Sequence, residues 1–367
     1  MSKTYVTLVS EQAIPNVQYI KEFANDIGTY LFISTNWMEK SERAQQIIDA
    51  CQIREGIYEI IIVDEEDLSA LLENIKLALS KATFANTDGY IVNCTLGTKI
   101  MSIALYEYFK NNSKALLLYT PIRTNRYRSV LDNSINQPFS MHISVEEYIK
   151  SYGIGIKAKG TPLFKDPTYT NSFREHYLNF GEQDFEILEH LQNDADQKYR
   201  KKGIADWSLI DGLDIFLAKI NFPAQNKLSK YEVKYLTGGW FEEWTYYLVK
   251  QHLLLNDDEI VLGLNTLIDA ENDLDVVFMF KNDLHIIECK TAIPDNYLQQ
   301  TTLYKSGALI DKFGRNAHSY LWTLSDLRDA NGEIKSSVRD RALQQKVTVE
   351  DRVSLANHNS FFKKFKP

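Results

Sequence analysis

Leu274-Asp275-Val276-Val277-Phe278-Met279-Phe280 and Leu284-His285-Ile286-Ile287-Glu288-Cys289-Lys290, separated by Lys281-Asn282-Asp283, read as two consecutive β-strands joined by a tight turn. Asn282 and Asp283 suit a two-residue hairpin because both tolerate positive φ. Placing Lys281 opposite Leu284 sets Asp275 opposite Lys290 and diagonal to Glu288. Strand side chains alternate between faces, so Glu288 and Lys290 share one face, and in this register Asp275 joins them. A slip of one residue would throw Asp275 to the other side. Two carboxylates suit a hard divalent cation, and a neighbouring ammonium can steady a phosphate or an attacking water. That equipment points to phosphodiester hydrolysis. The competing account is a solvated hairpin face carrying an ordinary ion pair.

Upstream, Gly238-Gly239-Trp240-Phe241-Glu242-Glu243-Trp244 opens a helix predicted over Trp240–Leu255. Its 3.6-residue periodicity buries Phe241, Trp244, Leu248 and Leu255. Glu243 then falls on the solvent side beside Lys250, and Glu242 at the edge of the stripe, where it can look into a cleft. Around this pair the order reads helix, strand near Ile260–Leu264, the hairpin, helix near Tyr297–Leu309, strand Tyr320–Leu324, helix near Ser336–Gln345 and strand Val347–Val349. Trp240 is expected to border the cleft. His285 falls on the face of Ile287 and Cys289 and reads as a packed histidine. Tyr304 and Lys305 are ordinary helix-surface residues that could also reach a substrate.

The first third alternates short apolar strands (Tyr5–Val9, Tyr30–Ile33, Tyr58–Val63, Tyr90–Asn93, Ala115–Tyr119) with helical patterns (Val17–Ala24, Glu39–Ala50, Asp67–Ser80, Lys99–Phe109). This alternation predicts a doubly wound parallel sheet, which takes ligands beyond the carboxyl ends of its strands. Two such ends carry polar sequence: Ser10-Glu11-Gln12-Ala13-Ile14-Pro15-Asn16 and Asn93-Cys94-Thr95-Leu96-Gly97-Thr98-Lys99. Helix-start amides, the Thr95 and Thr98 hydroxyls and the Lys99 ammonium suit a phosphate, and Gly97 permits close approach. A capped strand-to-helix turn uses the same residues. The spacing of a nucleotide-hydrolysing P-loop is absent.

These motifs together carry a resemblance. Asp275 with Glu288-Cys289-Lys290 resembles the PD-(D/E)xK nuclease core, and the glycine-led helix with Glu242 resembles that core's first helix. Ser10–Asn16 and Asn93–Lys99 resemble the ligand loops of the CARF (CRISPR-associated Rossmann-like) domain, with Leu96 where the family's Thr-Gly-Gly-Thr-Lys loop has its first glycine. Nearly the whole chain is similar to the cyclic-oligoadenylate-activated nucleases of type III CRISPR defence.

The resemblance implies an α/β protein in three parts: a CARF sensor over 1–143, a helical connector over 144–234 and a PD-(D/E)xK nuclease over 235–367. It implies Asp275, Glu288, Lys290 and Glu242 as catalytic residues. Asp275, Glu288 and the Cys289 carbonyl would hold manganese or magnesium. Ser10, Gln12, Pro15, Asn16, Asn93, Thr95, Gly97, Thr98 and Lys99 would bind cyclic tetraadenylate. The expected activity is cleavage of single-stranded DNA or RNA, with nicking of duplex DNA, by an allosterically activated homodimer. The alternatives are an unregulated repair or restriction nuclease and a ligand-binding or transcription-regulatory protein with a vestigial core.

Bulk properties agree with that frame. A chain of 367 residues accommodates two domains. A formal charge of −8 excludes a general polyanion sponge, so any nucleic-acid contact is local. Three scattered cysteines lack a disulfide or zinc framework and favour a reducing cytoplasm. The Met1–Val6 stretch leads straight into a strand pattern, and no apolar run reaches the length of a membrane span. In the middle, Ser144–Gly153 reads as a capped helix and Gly153–Asp166 as a linker or hairpin, with helices at Phe185–Gln192 and Trp207–Ala218. Lys198, Arg200, Lys201 and Lys202 form the connector's basic cluster; most such runs are solvated surface and a minority bind nucleic acid.

Overall fold

A computed structural model describes residues 2–122, 124–193, 198–268, 270–292 and 302–365. Two sheets organise them. The first has seven strands in the order β3-β2-β1-β4-β5-β6-β7: β1 Lys3–Leu8, β2 Ile27–Thr35, β3 Tyr58–Val63, β4 Tyr90–Asn93, β5 Ala115–Tyr119, β6 Arg126–Ser129 and β7 Asn136–Pro138. Strands β1 to β5 pair in parallel, and β6 and β7 add an antiparallel edge that the strand pattern does not reveal. Alternation along β1 sends Tyr5 into one core and Val6 and Leu8 into another, so both faces of the sheet are covered. The strand order reverses between β1 and β4, which puts the Ser10–Asn16 and Asn93–Lys99 loops side by side at the switch point.

The second sheet runs β13-β12-β11-β10-β9-β8, with β8 Gly155–Lys159, β9 Ile260–Ile268, β10 Ala270–Phe280, β11 Asp283–Lys290, β12 Ala317–Thr323 and β13 Val347–Glu350. Strands β8 to β11 are antiparallel, and β11, β12 and β13 are parallel. The expected linker over Gly153–Asp166 thus contributes an edge strand to this sheet. The Trp240–Leu253 helix packs across β9, β10 and β11. It is backed by helices that periodicity does not reveal, chiefly Pro167–Leu178. Trp240 is fully buried in that core instead of bordering a cleft, and His285 is buried between Phe278 and His318. The helix expected near Tyr297–Leu309 is present from Leu303 to Ile310; its Tyr297–Thr301 start lies outside the described residues.

The two sheets share a core. Val277, Met279, Leu284, Ile286 and Phe313 cluster with Tyr19, Ile143, Tyr148 and Ile149. The tip of the β10–β11 hairpin is sunk into the first domain. Asn282 Oδ1 accepts from the Ile143 amide (2.9 Å), and Asn282 Nδ2 donates to Asn125 Oδ1 (2.9 Å) and to the Met141 carbonyl (3.2 Å). Tyr148 donates to the Phe313 carbonyl (2.9 Å). None of the described helices is long and apolar enough to cross a membrane.

Candidate active site and sensor loops

The hairpin register differs from the expected one by two residues. Lys281 and Asn282 both take positive φ (52° and 65°) and form the turn, so Phe280 pairs with Asp283 and Val276 with Ile287. Asn282 sits in the turn as expected, but Lys281 takes the place assigned to Asp283. A shift of two preserves face parity, and the acids and lysine still meet. Ile287 and Cys289 enter the second core, whereas Leu284 and Ile286 join the core shared with the first domain, and Glu288 and Lys290 continue their row.

Beyond the Val276–Ile287 pair a side chain takes over from the ladder: Asp275 Oδ2 accepts the Cys289 amide at 2.7 Å. The Lys290 ammonium lies 2.6 Å from Glu288 Oε1, 3.2 Å from the Cys289 carbonyl and 3.5 Å from Asp275 Oδ2. Burial, with Glu288 and Glu242 nearby, holds the Asp275 carboxyl well above the usual carboxylate range against the pull of Lys290. Burial raises Glu242 as well, offset by Lys234 and Lys290 and reinforced by Glu288. Burial alone would lower the Lys290 ammonium, but Asp275 and Glu288 outweigh it and hold it above its ordinary value. Three acids and one lysine therefore share one poorly solvated site.

Among the described residues no three His, Cys, Asp or Glu side chains gather as a metal cluster. The donor set here is two carboxylates and a main-chain carbonyl, and all three oxygens already converge on a cation, the Lys290 ammonium. Hard oxygen donors with excess negative charge fit a divalent cation. The Cys289 thiol takes no part. It is buried, turned toward Thr245 Oγ1 (3.5 Å), and its pKa is pushed well up by desolvation.

Glu243 corrects the helix assignment. It is 2% exposed and faces protein, not solvent. Its carboxylate accepts from the Leu163 and Phe164 amides and from Thr170 Oγ1 (2.8 Å), pinning the loop after β8 and the Pro167–Leu178 helix to the Trp240–Leu253 helix. The Pro167–Leu178 helix is what turns the expected solvent side into an interior. Glu242 is the member of the pair that reaches Asp275 and Glu288 electrostatically.

In the first domain, Lys99 starts the Lys99–Phe109 helix and is exposed, as are Gly97 and Thr98. Thr98 Oγ1 caps the helix by accepting from the Met101 amide (3.3 Å), and Thr95 Oγ1 accepts from the Thr120 amide (3.0 Å). Gly97 has φ +77°, and a Cβ there would lie 2.8 Å from Leu8 Cδ1, so the turn itself demands glycine. Pro15 lies in the first turn of the Ile14–Glu22 helix, and Ser10 Oγ accepts from the Gln12 amide (3.2 Å).

Three of the residues expected to meet the ring have partners inside the protein. Asn16 and Asn93 are completely buried. Asn16 Oδ1 accepts from Tyr5, Thr7 and Asn93, and its Nδ2 donates to the Leu8 carbonyl (3.1 Å). The pair braces the two loops from inside. Gln12 Oε1 accepts from the Arg315 amide (2.9 Å), spanning to the second domain. Nothing in the sequence signals that long-range partner.

Residues 4–148 match the family model of the Card1 CARF domain, and residues 229–353 that of the Card1-like endonuclease domain. Comparison with curated proteins gives no match. Among solved structures, Can2 from Sulfobacillus thermosulfidooxidans, in complex with cyclic tetra-adenylate, is similar with a TM-score of 0.72 at 20% identity, covering 100% of both chains. Protein VC1899 from Vibrio cholerae is similar with a TM-score of 0.75 at 18% identity, over 99% of this chain and 98% of its own. A type III CRISPR defence DNA nuclease activated by cyclic oligoadenylate gives a TM-score of 0.56 at 15% identity, over 94% of this chain and 51% of its own. At these identities the likenesses establish the fold. With both domain models matched in order, the chain belongs to the family that joins a Card1-type CARF domain to a Card1-like endonuclease domain.

Proposed function

We propose that this protein is a metal-dependent nuclease, switched on by cyclic tetraadenylate, that cleaves single-stranded DNA or RNA in type III CRISPR defence. The observation that carries this reading is the convergence of Asp275, Glu288 and the Cys289 carbonyl on one cation, with Glu242 alongside. Asp275, Glu288 and that carbonyl would hold manganese or magnesium, which when bound polarises a phosphoryl oxygen and acidifies a water. Lys290 then orients the attacking water or neutralises charge developing on the phosphorane. Glu242 would add a further carboxylate beside the ion. The proposed division remains sensor 1–143, connector 144–234 and nuclease 235–367, with the connector lending β8 to the nuclease sheet.

The ring is assigned to the Ser10–Asn16 and Asn93–Lys99 loops of two protomers. A ligand with approximate rotational symmetry fits a two-fold axis. In support, a cavity of about 430 Å³ beside the second loop is lined by Cys94, Ile103, Tyr106, Tyr119 and Val130. Ile103, Tyr106, Tyr119 and Val130 are 38–53% exposed, an apolar surface that suits a second copy. Lys99→Ala should weaken ring binding roughly tenfold to a hundredfold, the loss of a charge-assisted contact. Calorimetry checks this; an unchanged affinity would put the ring elsewhere. Asn16→Ala should also weaken binding, by loosening the brace.

Coupling is assigned to the hairpin. Leu284, Ile286, Glu288 and Lys290 form one face of one strand, its first half packed on the sensor and its second half at the catalytic site. Asn282→Ala should leave ring affinity near the parent value while reducing the ratio of activated to basal cleavage severalfold. An unaltered ratio would move the coupling to the connector.

A further inference from the structure

We propose that the Lys198–Lys202 and Lys230–Lys234 helices form the entry track that leads a single nucleic-acid strand to Glu242, a proposal that rests on the nuclease reading above. These two short helices pack against each other, although about thirty residues separate them in sequence. Together they carry Lys198, Arg200, Lys201, Lys202, Lys230 and Lys234 against one acid, Glu232. The Glu232 carboxylate is committed to the Ser229 amide (2.7 Å). None of the six basic side chains forms an ion pair among the described residues. In a chain with a formal charge of −8, this is a local concentration of uncommitted positive charge.

The patch borders space that continues to the catalytic site. A cavity of about 810 Å³ is lined by Lys198, Lys202, Lys227 and Ser229. A second, of about 520 Å³, is lined by Ser229, Tyr231, Lys234, Gly239 and Glu242. Ser229 lines both, so the two cavities adjoin at that residue, and Glu242 is part of the wall of the second. Lys234 and Glu242 line the second cavity together. The basic cluster is therefore a neighbour of the reaction centre.

An aromatic lines the same cavity. Tyr231 is 65% exposed, and the Lys230 ammonium lies 4.9 Å from its ring centroid. Basic side chains that track a backbone, interleaved with an exposed ring, are how proteins hold single strands without reading sequence. A base inside a duplex is already stacked on both faces and cannot use the ring, so the feature favours an unpaired strand.

The test uses the full-length protein in metal-free buffer, with labelled oligothymidylate, oligouridylate and a DNA duplex followed by fluorescence anisotropy over a salt series. Tyr231→Ala should weaken single-strand binding roughly fivefold to 150-fold, the range for loss of one stacked base, while Tyr231→Phe keeps the parent affinity. Lys201→Glu with Lys202→Glu should weaken both single strands and flatten the salt dependence by about 0.7 in slope for each phosphate no longer neutralised. Parent affinity in Tyr231→Ala and in the double charge reversal, or tighter binding of duplex than of either single strand, overturns the track. Cleavage with activator and manganese is scored separately. Cleavage by a parent whose variants bind unchanged sinks only the track, whereas groove-dependent binding without cleavage sinks only the nuclease reading.

Discussion

Asp275→Asn and Glu288→Gln are each expected to lower activated cleavage by roughly 10³-fold, about 4 kcal/mol of lost transition-state stabilisation at 1.36 kcal/mol per tenfold. Each exchange keeps the shape of the side chain and removes one of the two anionic oxygen donors that face the Lys290 ammonium. The loss should not come from unfolding. Burial and neighbouring carboxylates raise the folded-state pKa of Asp275. The stabilising contribution of its protonated form is fully present below the unfolded pKa and is lost as pH rises through the folded one, so above the unfolded pKa the buried carboxyl costs stability. A neutral amide can still accept the Cys289 amide hydrogen that Asp275 Oδ2 accepts. Metal-free Asp275→Asn should therefore melt no lower than the parent. Turnover near the parent rate in both variants would remove the proposed site, and a collapsed melting temperature would recast Asp275 as structural.

Glu243→Ala is expected to do the reverse. Removing that carboxylate strands the Leu163 and Phe164 amides and the Thr170 hydroxyl, which also accepts from Tyr235 (3.1 Å). Buried donors left unmade cost about 1–3 kcal/mol each, so a total of roughly 3 kcal/mol is a modest expectation. At about 2–4 °C per kcal/mol for a unit of this size, the nuclease-domain transition should fall by roughly 6–12 °C. Ring affinity should stay at the parent value, because the network touches no sensor loop. Glu242→Gln should show the opposite profile, with cleavage reduced about tenfold to a hundredfold and no loss of melting temperature. Calorimetric melts beside activity assays separate the two glutamates. Equal melting temperatures in Glu243→Ala and the parent would contradict the anchoring role.

The periodic parts of the molecule are legible in the sequence. Strands β1 to β5 and the Lys99–Phe109 helix stand where alternation and the Thr98 cap put them. The meeting of Asp275, Glu288 and Lys290 tolerates a register shifted by two because parity, not exact pairing, decides which face a strand residue takes. The corner of the hairpin is less legible: Asn and Asp are good turn residues, but Asn282 has partners in the first domain, and that tertiary fit selects Lys281–Asn282. The burial of Glu243 and Asn16 is illegible for a related reason. Periodicity reports where apolar residues want to go, and it is silent on a polar side chain buried by partners distant in sequence. The Lys198–Lys202 cluster is visible as charge, but its place beside Glu242 depends on packing against Lys230–Lys234.

Coupling of a ring-binding sensor to the Asp275–Lys290 site within one chain can be read in a single assay. Single-stranded DNA, single-stranded RNA and supercoiled plasmid are incubated with the purified protein and manganese, with and without cyclic tetraadenylate, beside Glu288→Gln. Cleavage of at least one single-stranded substrate should rise at least tenfold with the ring and vanish in the variant. Equal cleavage with and without the ring, or cleavage that persists in Glu288→Gln, would contradict the coupling.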